Sequence, residues 1–460
     1  MSSTTSIHAG YTPAGPHYPV ATPVYASTAY EFESYAAAAE MFALTRAGFT
    51  YTRTGNPTVA VLEQRLAALE GGVAAVATAS GQSAVALALM ALAGRGDAER
   101  PGGPGYDAGP RHLVAARQLY GGTVDLLTDT FADFGYHVDF VDQHDLDAWR
   151  EAIGPQTRAV LVESISNPLA EPADVPAIAD LAHAAGAALV VDNTLATPAL
   201  LNPIAHGADV VVHSATKFLG GHGAALGGVI VDAGRFDWAA DPAKWQQLAG
   251  PKERYVGDQT LVQRYGQLAF AMLVRSKYLH DVGPCIAPAA AAEISRGIET
   301  LPLRMAQHSA NAEVLARHLA EHPAVAAVHH PAVRAARHPE HPSVAVASRD
   351  FSAGTGAVFA FDLAAGDGSD AAGVVERFID ALGVFKLVAN LGDTRSLVAH
   401  PAAMTHCRMG AAARAAAGIS DTTVRLSVGL EDPADLIADL DQALLTVHSS
   451  TLTTEGSVRA

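Results

Sequence analysis

The sequence predicts an α/β protein: a mostly parallel central sheet covered by helices on both faces, followed by a smaller C-terminal α+β domain. Short apolar runs from Val73 to Ala77, His112 to Ala115, Ala159 to Glu163, Ala188 to Asp192, Val210 to His213 and Gly228 to Val231 alternate with helical patterns such as Val59 to Leu69 and Ser83 to Leu92. Strands apolar at nearly every position are buried on both faces, which is the setting of a parallel sheet. The chain has 460 residues, too many for one ordinary domain. Beyond residue 262 the pattern changes to a long helical tract and then to strands from Val325 to His330, Gly356 to Leu363 and Thr423 to Val428.

These shifts divide the chain into an arm (1–58), a large domain (59–262) and a smaller domain (263–460). The arm is rich in Tyr, Thr, Pro and Gly without a period, which predicts an extended segment suited to docking on another subunit. Gly71 to Gly94 carries no charge and is long enough to raise the question of a membrane span. Its centre, Thr78 to Ser83, has turn chemistry, so it divides into strand, turn and helix. The Pro/Gly-rich stretch 100–111 reads as a surface loop insertion, and the tail after His448 as loose.

Thirty Lys and Arg against 47 Asp and Glu leave a net charge of −17, which repels phosphate backbones and anionic lipid and excludes nucleic acid and membrane as expected partners. Only Cys285 and Cys407 are present, and Met1 to His17 lacks a basic segment and an apolar run; a cytoplasmic protein without a disulfide framework is expected. His213, His222, His400 and His406 are not linked by a His-x-x-x-His spacing and the two cysteines form no ligand pair, so no metal is expected.

The strongest local signal is Val210-Val-Val-His-Ser-Ala-Thr-Lys-Phe-Leu-Gly-Gly-His-Gly223. A buried strand ends there in hydroxyls and a lysine before a glycine-rich turn. Lys217 is placed to form a Schiff base while Ser214 and Thr216 bind a phosphate, although the segment alone fits a surface lysine equally well. Asp192 ends the preceding strand, where a carboxylate points into the ligand crevice of a parallel sheet or caps a helix. With Lys217 it makes the pair that pyridoxal phosphate requires, since an anion keeps the ring nitrogen protonated. Ser80-Gly81-Gln82 opens a helix, and free N–H groups at such a start favour phosphate.

These segments occur in one order with Tyr51-Thr-Arg53-Thr-Gly-Asn-Pro57, Leu119-Tyr120-Gly-Gly-Thr123, Glu163-Ser-Ile-Ser-Asn167-Pro168 and Val424-Arg425-Leu-Ser-Val-Gly429. Together they resemble the Cys/Met-metabolism family of pyridoxal-phosphate enzymes, roughly from Ile7 to Leu445. The resemblance implies fold type I, the aspartate-aminotransferase-like architecture, and a homo-oligomer, a tetramer built as a dimer of dimers. It implies that Lys217 carries the cofactor and shuttles protons, Asp192 pairs with the ring nitrogen, Tyr120 stacks on the ring and Asn167 contacts its hydroxyl, with Glu163 in support. Phosphate is then held by Ser214, Thr216, Gly81 and Gln82, joined by Tyr51 and Arg53 from a neighbouring subunit. Arg425, which strand alternation alone would turn to solvent, becomes a clamp on the substrate α-carboxylate.

Within the family, Val388-Ala-Asn390-Leu-Gly-Asp-Thr-Arg395 resembles the O-acetylhomoserine sulfhydrylase branch, and Gly122 stands where methionine γ-lyases carry cysteine. The expected reaction is γ-replacement on O-acetyl-L-homoserine by sulfide or a thiol, with Asn390 beside Arg425 at the substrate. Met404 and the stretch 238–267 depart from that branch. They keep open a γ-replacement enzyme using another thiol or a carbon nucleophile, and a cystathionine γ-synthase or γ-lyase. A non-catalytic binder on the same fold is disfavoured by the complete set Lys217, Asp192, Tyr120 and Arg425.

Overall fold

The computed structural model describes residues 3–96, 111–365 and 371–447, except for the side chains at 253 and 254. Apart from Arg111, the expected insertion at 100–111 lies outside the described residues, as does the tail.

Seven strands form the first sheet: β1 (Ala74–Thr78), β2 (Arg111–Ala116), β3 (Tyr136–Val141), β4 (Thr157–Glu163), β5 (Ala188–Asp192), β6 (Val210–Ser214) and β7 (Gly228–Asp232), in the order β1-β7-β6-β5-β4-β2-β3. Only β7 runs antiparallel to its neighbours, β1 and β6; β6, β5, β4, β2 and β3 pair in parallel. Val190, Val191, Val210, Val211 and Val212 have no exposed surface. Helices on both sides therefore exclude water from the central strands, as continuous Val and Leu runs require.

Local chemistry sets the boundaries. Helix Pro57–Glu70 starts where the Asn56 side chain accepts from Thr58 N and Val59 N, and stops at Gly71, whose φ of +77° suits glycine. The uncharged stretch from Gly71 to Gly94 is β1 followed by helix Gly81–Leu92. No helix among the described residues is long and apolar enough to cross a membrane.

A short antiparallel pair, β8 (Pro251–Lys252) and β9 (Gly257–Thr260), follows. The second sheet holds β10 (Val325–His329), β11 (Val358–Leu363), β12 (Lys386–Leu387), β13 (Leu397–Ala399) and β14 (Thr423–Ser427), in the order β10-β11-β14-β13-β12. All its pairings are antiparallel except β12 with β13.

Two features depart from the expected division of the chain. Residues 263–299 pack on the first sheet: Ala271 N donates to Asp232 Oδ2 at 3.0 Å, and Arg275 reaches Glu63 Oε2 at 2.8 Å and Ala75 O at 3.0 Å. Helix Leu301–Ala320 then crosses between the units. Its Arg304 donates to Phe218 O, and two turns later Asn311 donates to Gly429 O and Glu431 O. We therefore place the division within this helix rather than at 262/263.

The chain's first residues also form a helix, Ser3–His8, rather than an extended arm. The buried Arg65 clasps it, donating to Ala9 O and Ile7 O and, through Nη1, to Ser295 O. Residues 11–55 run mostly exposed, with Tyr18, Val20, Tyr35 and Phe42 at 69%, 89%, 91% and 74% exposure, but they too hold a helix, Tyr35–Phe42, which the Ser34 side chain caps.

Candidate active site

In the parallel part of the sheet, β2, β4, β5 and β6 end on the same side, and a pocket of about 520 Å³ opens there, where an open α/β sheet binds ligands. Eleven of the thirteen expected residues line it: Gly81, Gln82, Tyr120, Glu163, Asn167, Asp192, Ser214, Thr216, Lys217, Asn390 and Arg425. Tyr51 and Arg53 do not. Both are exposed, with the Arg53 guanidinium 5.5 Å from the centre of the Tyr51 ring.

Glu163 and Asp192 end adjacent strands in register. Glu163 Oε1 accepts from Tyr120 N at 2.6 Å and Oε2 from Asn167 N at 3.2 Å. One carboxylate thereby fixes the backbone of two pocket residues. Asp192 accepts from Thr194 N at 2.9 Å. Burial raises both carboxyls, and for Glu163 the neighbouring Asp192 charge adds to the rise. Two buried carboxyls side by side are relieved by a proton or a cation, and among the described residues no Lys or Arg is seen hydrogen-bonded to Asp192.

Lys217 follows β6 by one turn, and its Nζ donates to Asn390 Oδ1 at 2.5 Å. Burial first, then the charge of Arg425, lowers the ammonium pKa to about 8. The 390–392 turn lies against the lysine: a Cβ on Gly392 would sit 2.6 Å from Phe218 N, and the φ of +77° there also suits glycine.

Arg425 is buried, at 2% exposure, which removes the solvent-facing reading. Its register partners on β11 and β13 are Ala360 and Ala399, whose small side chains leave room for the guanidinium. Nη2 donates to Asn390 O at 2.8 Å, Nη1 lies 3.5 Å from Asn167 Oδ1, and Nε is buried without a partner. Burial lowers its pKa to about 10, and an incoming carboxylate would satisfy both the charge and the open donor.

At the other wall, the Ser80 side chain caps helix Gly81–Leu92 by accepting from Ser83 N. The first two amides of a helix have no partner within it, so Gly81 and Gln82 offer theirs to an anion at the pocket. Thr216 is more committed than its sequence suggests. Its hydroxyl donates to Gly227 O at 3.2 Å and accepts from Gly227 N at 3.1 Å, closing the glycine-rich turn.

Sequence reasoning missed several lining residues. Thr194 stands two residues after Asp192, and its Oγ1 accepts from Ser214 N at 2.8 Å, tying β5 to β6. Asp125, Asp129, Thr405 and Arg408 line the pocket too. Asp125 and Asp129 lie on the helical segment that follows Tyr120, and Thr405 and Arg408 on the 401–409 segment, which reaches the pocket only through tertiary folding.

The residues fit pyridoxal phosphate. Asp192 would suit a ring cation, Lys217 is a buried amine of lowered pKa, the helix start has amides that a phosphate would satisfy, and the unpartnered Nε of Arg425 would suit a carboxylate.

Comparison with known proteins agrees. Residues 3–445 match the family described as Cys/Met metabolism PLP-dependent enzyme. The O-acetyl-L-homoserine sulfhydrylase of Leptospira meyeri is 40% identical over 453 residues, covering 96% of each chain. The homocysteine synthase of Schizosaccharomyces pombe is 39% identical over 442 residues, covering 96% of this chain and 97% of the relative. Among solved structures, a Campylobacter jejuni chain carrying N'-pyridoxyl-lysine-5'-monophosphate superposes with a TM-score of 0.87 at 34% identity, covering 96% of this chain and 99% of that one.

Proposed function

Because this chain belongs to the Cys/Met metabolism PLP-dependent enzyme family, of fold type I, we propose that it catalyses γ-replacement on O-acetyl-L-homoserine, with sulfide or a thiol giving homocysteine or its thioether, and acetate. The observation that carries this reading is the continuous wall Lys217–Asn390–Arg425, which sets a proton-accepting amine beside a carboxylate clamp. It is supported by relatives named as sulfhydrylases and homocysteine synthases over almost the full chain.

Pyridoxal phosphate supplies an electron sink for the pair left when the substrate loses its α-proton. The chain's own residues do the rest. Arg425 grips the α-carboxylate and fixes Cα, so the substrate's reach is directed along Cβ and Cγ. Lys217 Nζ is the attachment point of the cofactor and, when free, takes the proton from Cα; a pKa of about 8 leaves a share of it neutral near pH 7. Asn390 orients Nζ without adding charge. With the cofactor bound, Asp192 would keep the ring nitrogen protonated, Tyr120 would lie against the ring and Asn167 would meet the ring hydroxyl. Glu163 keeps Tyr120 and Asn167 in place, while Ser214, Gly81 and Gln82 would hold the phosphate, joined by Thr216 once its hydroxyl proton leaves Gly227 O.

Tyr51 and Arg53 reach the phosphate from a second copy of this chain. In support, both stand outside their own chain's pocket, in a segment whose large apolar side chains are exposed. The assembly is a dimer of dimers. Cys285 and Cys407 are free thiols, which suits the reducing cytoplasm.

The test is an assay of purified protein with O-acetyl-L-homoserine and sulfide, following homocysteine and acetate in equal amounts. Efficient cleavage of cystathionine or methionine with negligible sulfhydrylation would overturn the reaction and leave the family assignment intact.

A further inference from the structure

We propose that His112, His137 and Asp139 form a divalent-cation site of the zinc type at the β2–β3 edge of the first sheet. His112 and His137 are register partners on parallel strands, and Asp139 follows His137 by two residues on the same face. His112 Nε2 lies 3.0 Å from Asp139 Oδ2, His137 Nε2 lies 3.3 Å from Asp139 Oδ1, and the imidazoles stack with centres 5.6 Å apart. One ligand atom from each residue falls within 4.8 Å of the others. A tetrahedral ion with bonds of about 2.0–2.1 Å separates its ligand atoms by about 3.3–3.4 Å. The two nitrogen–oxygen separations already approach that spacing.

The outer shell supports the same reading. His112 Nδ1 lies 2.9 Å from Thr157 Oγ1 on β4, the next strand in the sheet. With Nδ1–H donating to that hydroxyl, the lone pair of Nε2 faces the Asp139 carboxylate, the tautomer a bound metal needs. His112 is buried, while His137 and Asp139 are 59% and 46% exposed at the side chain, so an ion can arrive from solvent and keep water as its fourth ligand. The arginines nearest in sequence project to the opposite face, Arg111 over the Tyr136 ring and Arg158 toward Trp245. A second convergence, His144 with Glu171 and His341, differs on this point, because the Arg334 guanidinium already lies 3.4 Å from Glu171.

The site joins the edge strand to its neighbour at the end of the sheet opposite the pocket, so metal and turnover separate experimentally. Zinc is titrated by calorimetry into chelator-treated holoenzyme. One ion per chain is expected, with affinity falling at least about 100-fold in His137→Ala and in Asp139→Asn, and unchanged in His144→Ala. Thr157→Val should weaken binding by about 10–100-fold, as loss of an outer-shell partner does. Cobalt in place of zinc should give the visible absorption of a tetrahedral ion in the parent and not in His137→Ala. Cofactor absorbance should be the same in all these proteins. Absence of zinc binding by the parent, or equal affinity in His137→Ala, would overturn the site.

Discussion

At Lys217, burial makes the ammonium form costly, and the cost depends on pH. The unfolded chain keeps a lysine pKa of about 10.4, whereas the folded value is about 8. Between these values the unfolded state binds more protons, so the cofactor-free chain gains stability as pH rises through that window, and the penalty is fully present below it. Replacing the amine should remove it: Lys217→Met should stabilise the cofactor-free protein at pH 7 by up to about 3 kcal/mol in urea unfolding, with the gain gone near pH 11. The same substitution should lower kcat/KM by at least about four orders of magnitude, because attachment point and proton acceptor go together. Arg408 offers a second residue-scale case. It is the one guanidinium besides Arg425 lining the pocket among the described residues, and its Nη1 lies 3.5 Å from Asp125 Oδ2. Held there, it is withdrawn from a second substrate carboxylate, so O-succinyl-L-homoserine should react more slowly than the acetyl ester. Asp125→Asn should release it and raise the succinyl-to-acetyl ratio of kcat/KM by about two- to fivefold, the scale of an exposed ion pair. An unchanged ratio would remove Arg408 from acyl selection.

Helix Gly81–Leu92 begins so close to the end of β6 that a Cβ on Gly81 would stand 2.5 Å from Ser214 Cβ. Gly81→Ala should therefore push the helix start away from the strand and lower cofactor affinity at least about tenfold, measured by equilibrium dialysis. A tight-binding variant would show that the helix start does not hold the phosphate. The strands and turns that build this element pair were legible in the sequence, because continuous Val and Ala runs, a serine cap and hydroxyls beside a lysine are local signals. β3 was not. With His137 and Asp139 among its six residues, it lacks the apolar run that betrays a buried strand, being the edge of its sheet. β12 and β13 are two and three residues long, too short to show a period. Asp125 and Arg408 are surface-type charges whose convergence exists only in three dimensions. A His-x-x-x-His spacing brings ligands together on one turn of helix, whereas His112, His137 and Asp139 meet through strand register.

For the whole molecule, the separation of Arg53 from the pocket predicts shared sites. Arg53→Ala and Lys217→Ala chains should each be inactive as homo-oligomers. Mixed after verified subunit exchange, they should recover up to about a quarter of parental activity, because hybrid dimers contain one site with both residues intact. No recovery would mean that each site is completed within one chain. Arg65 has a consequence of another kind, for the order in which the polypeptide matures on the ribosome. Its guanidinium is buried and finds acceptors at Ile7, Ala9 and Ser295, the last 230 positions downstream. A nascent chain that has exposed all seven strands of the first sheet but not yet Ser295 holds that cation with part of its coordination missing, and an unsatisfied buried charge is disfavoured by several kcal/mol. The large sheet is thus expected to stay unlatched until helix Pro288–Glu299 docks, and chains truncated before Ser295 should be cleaved by protease faster than chains that include it.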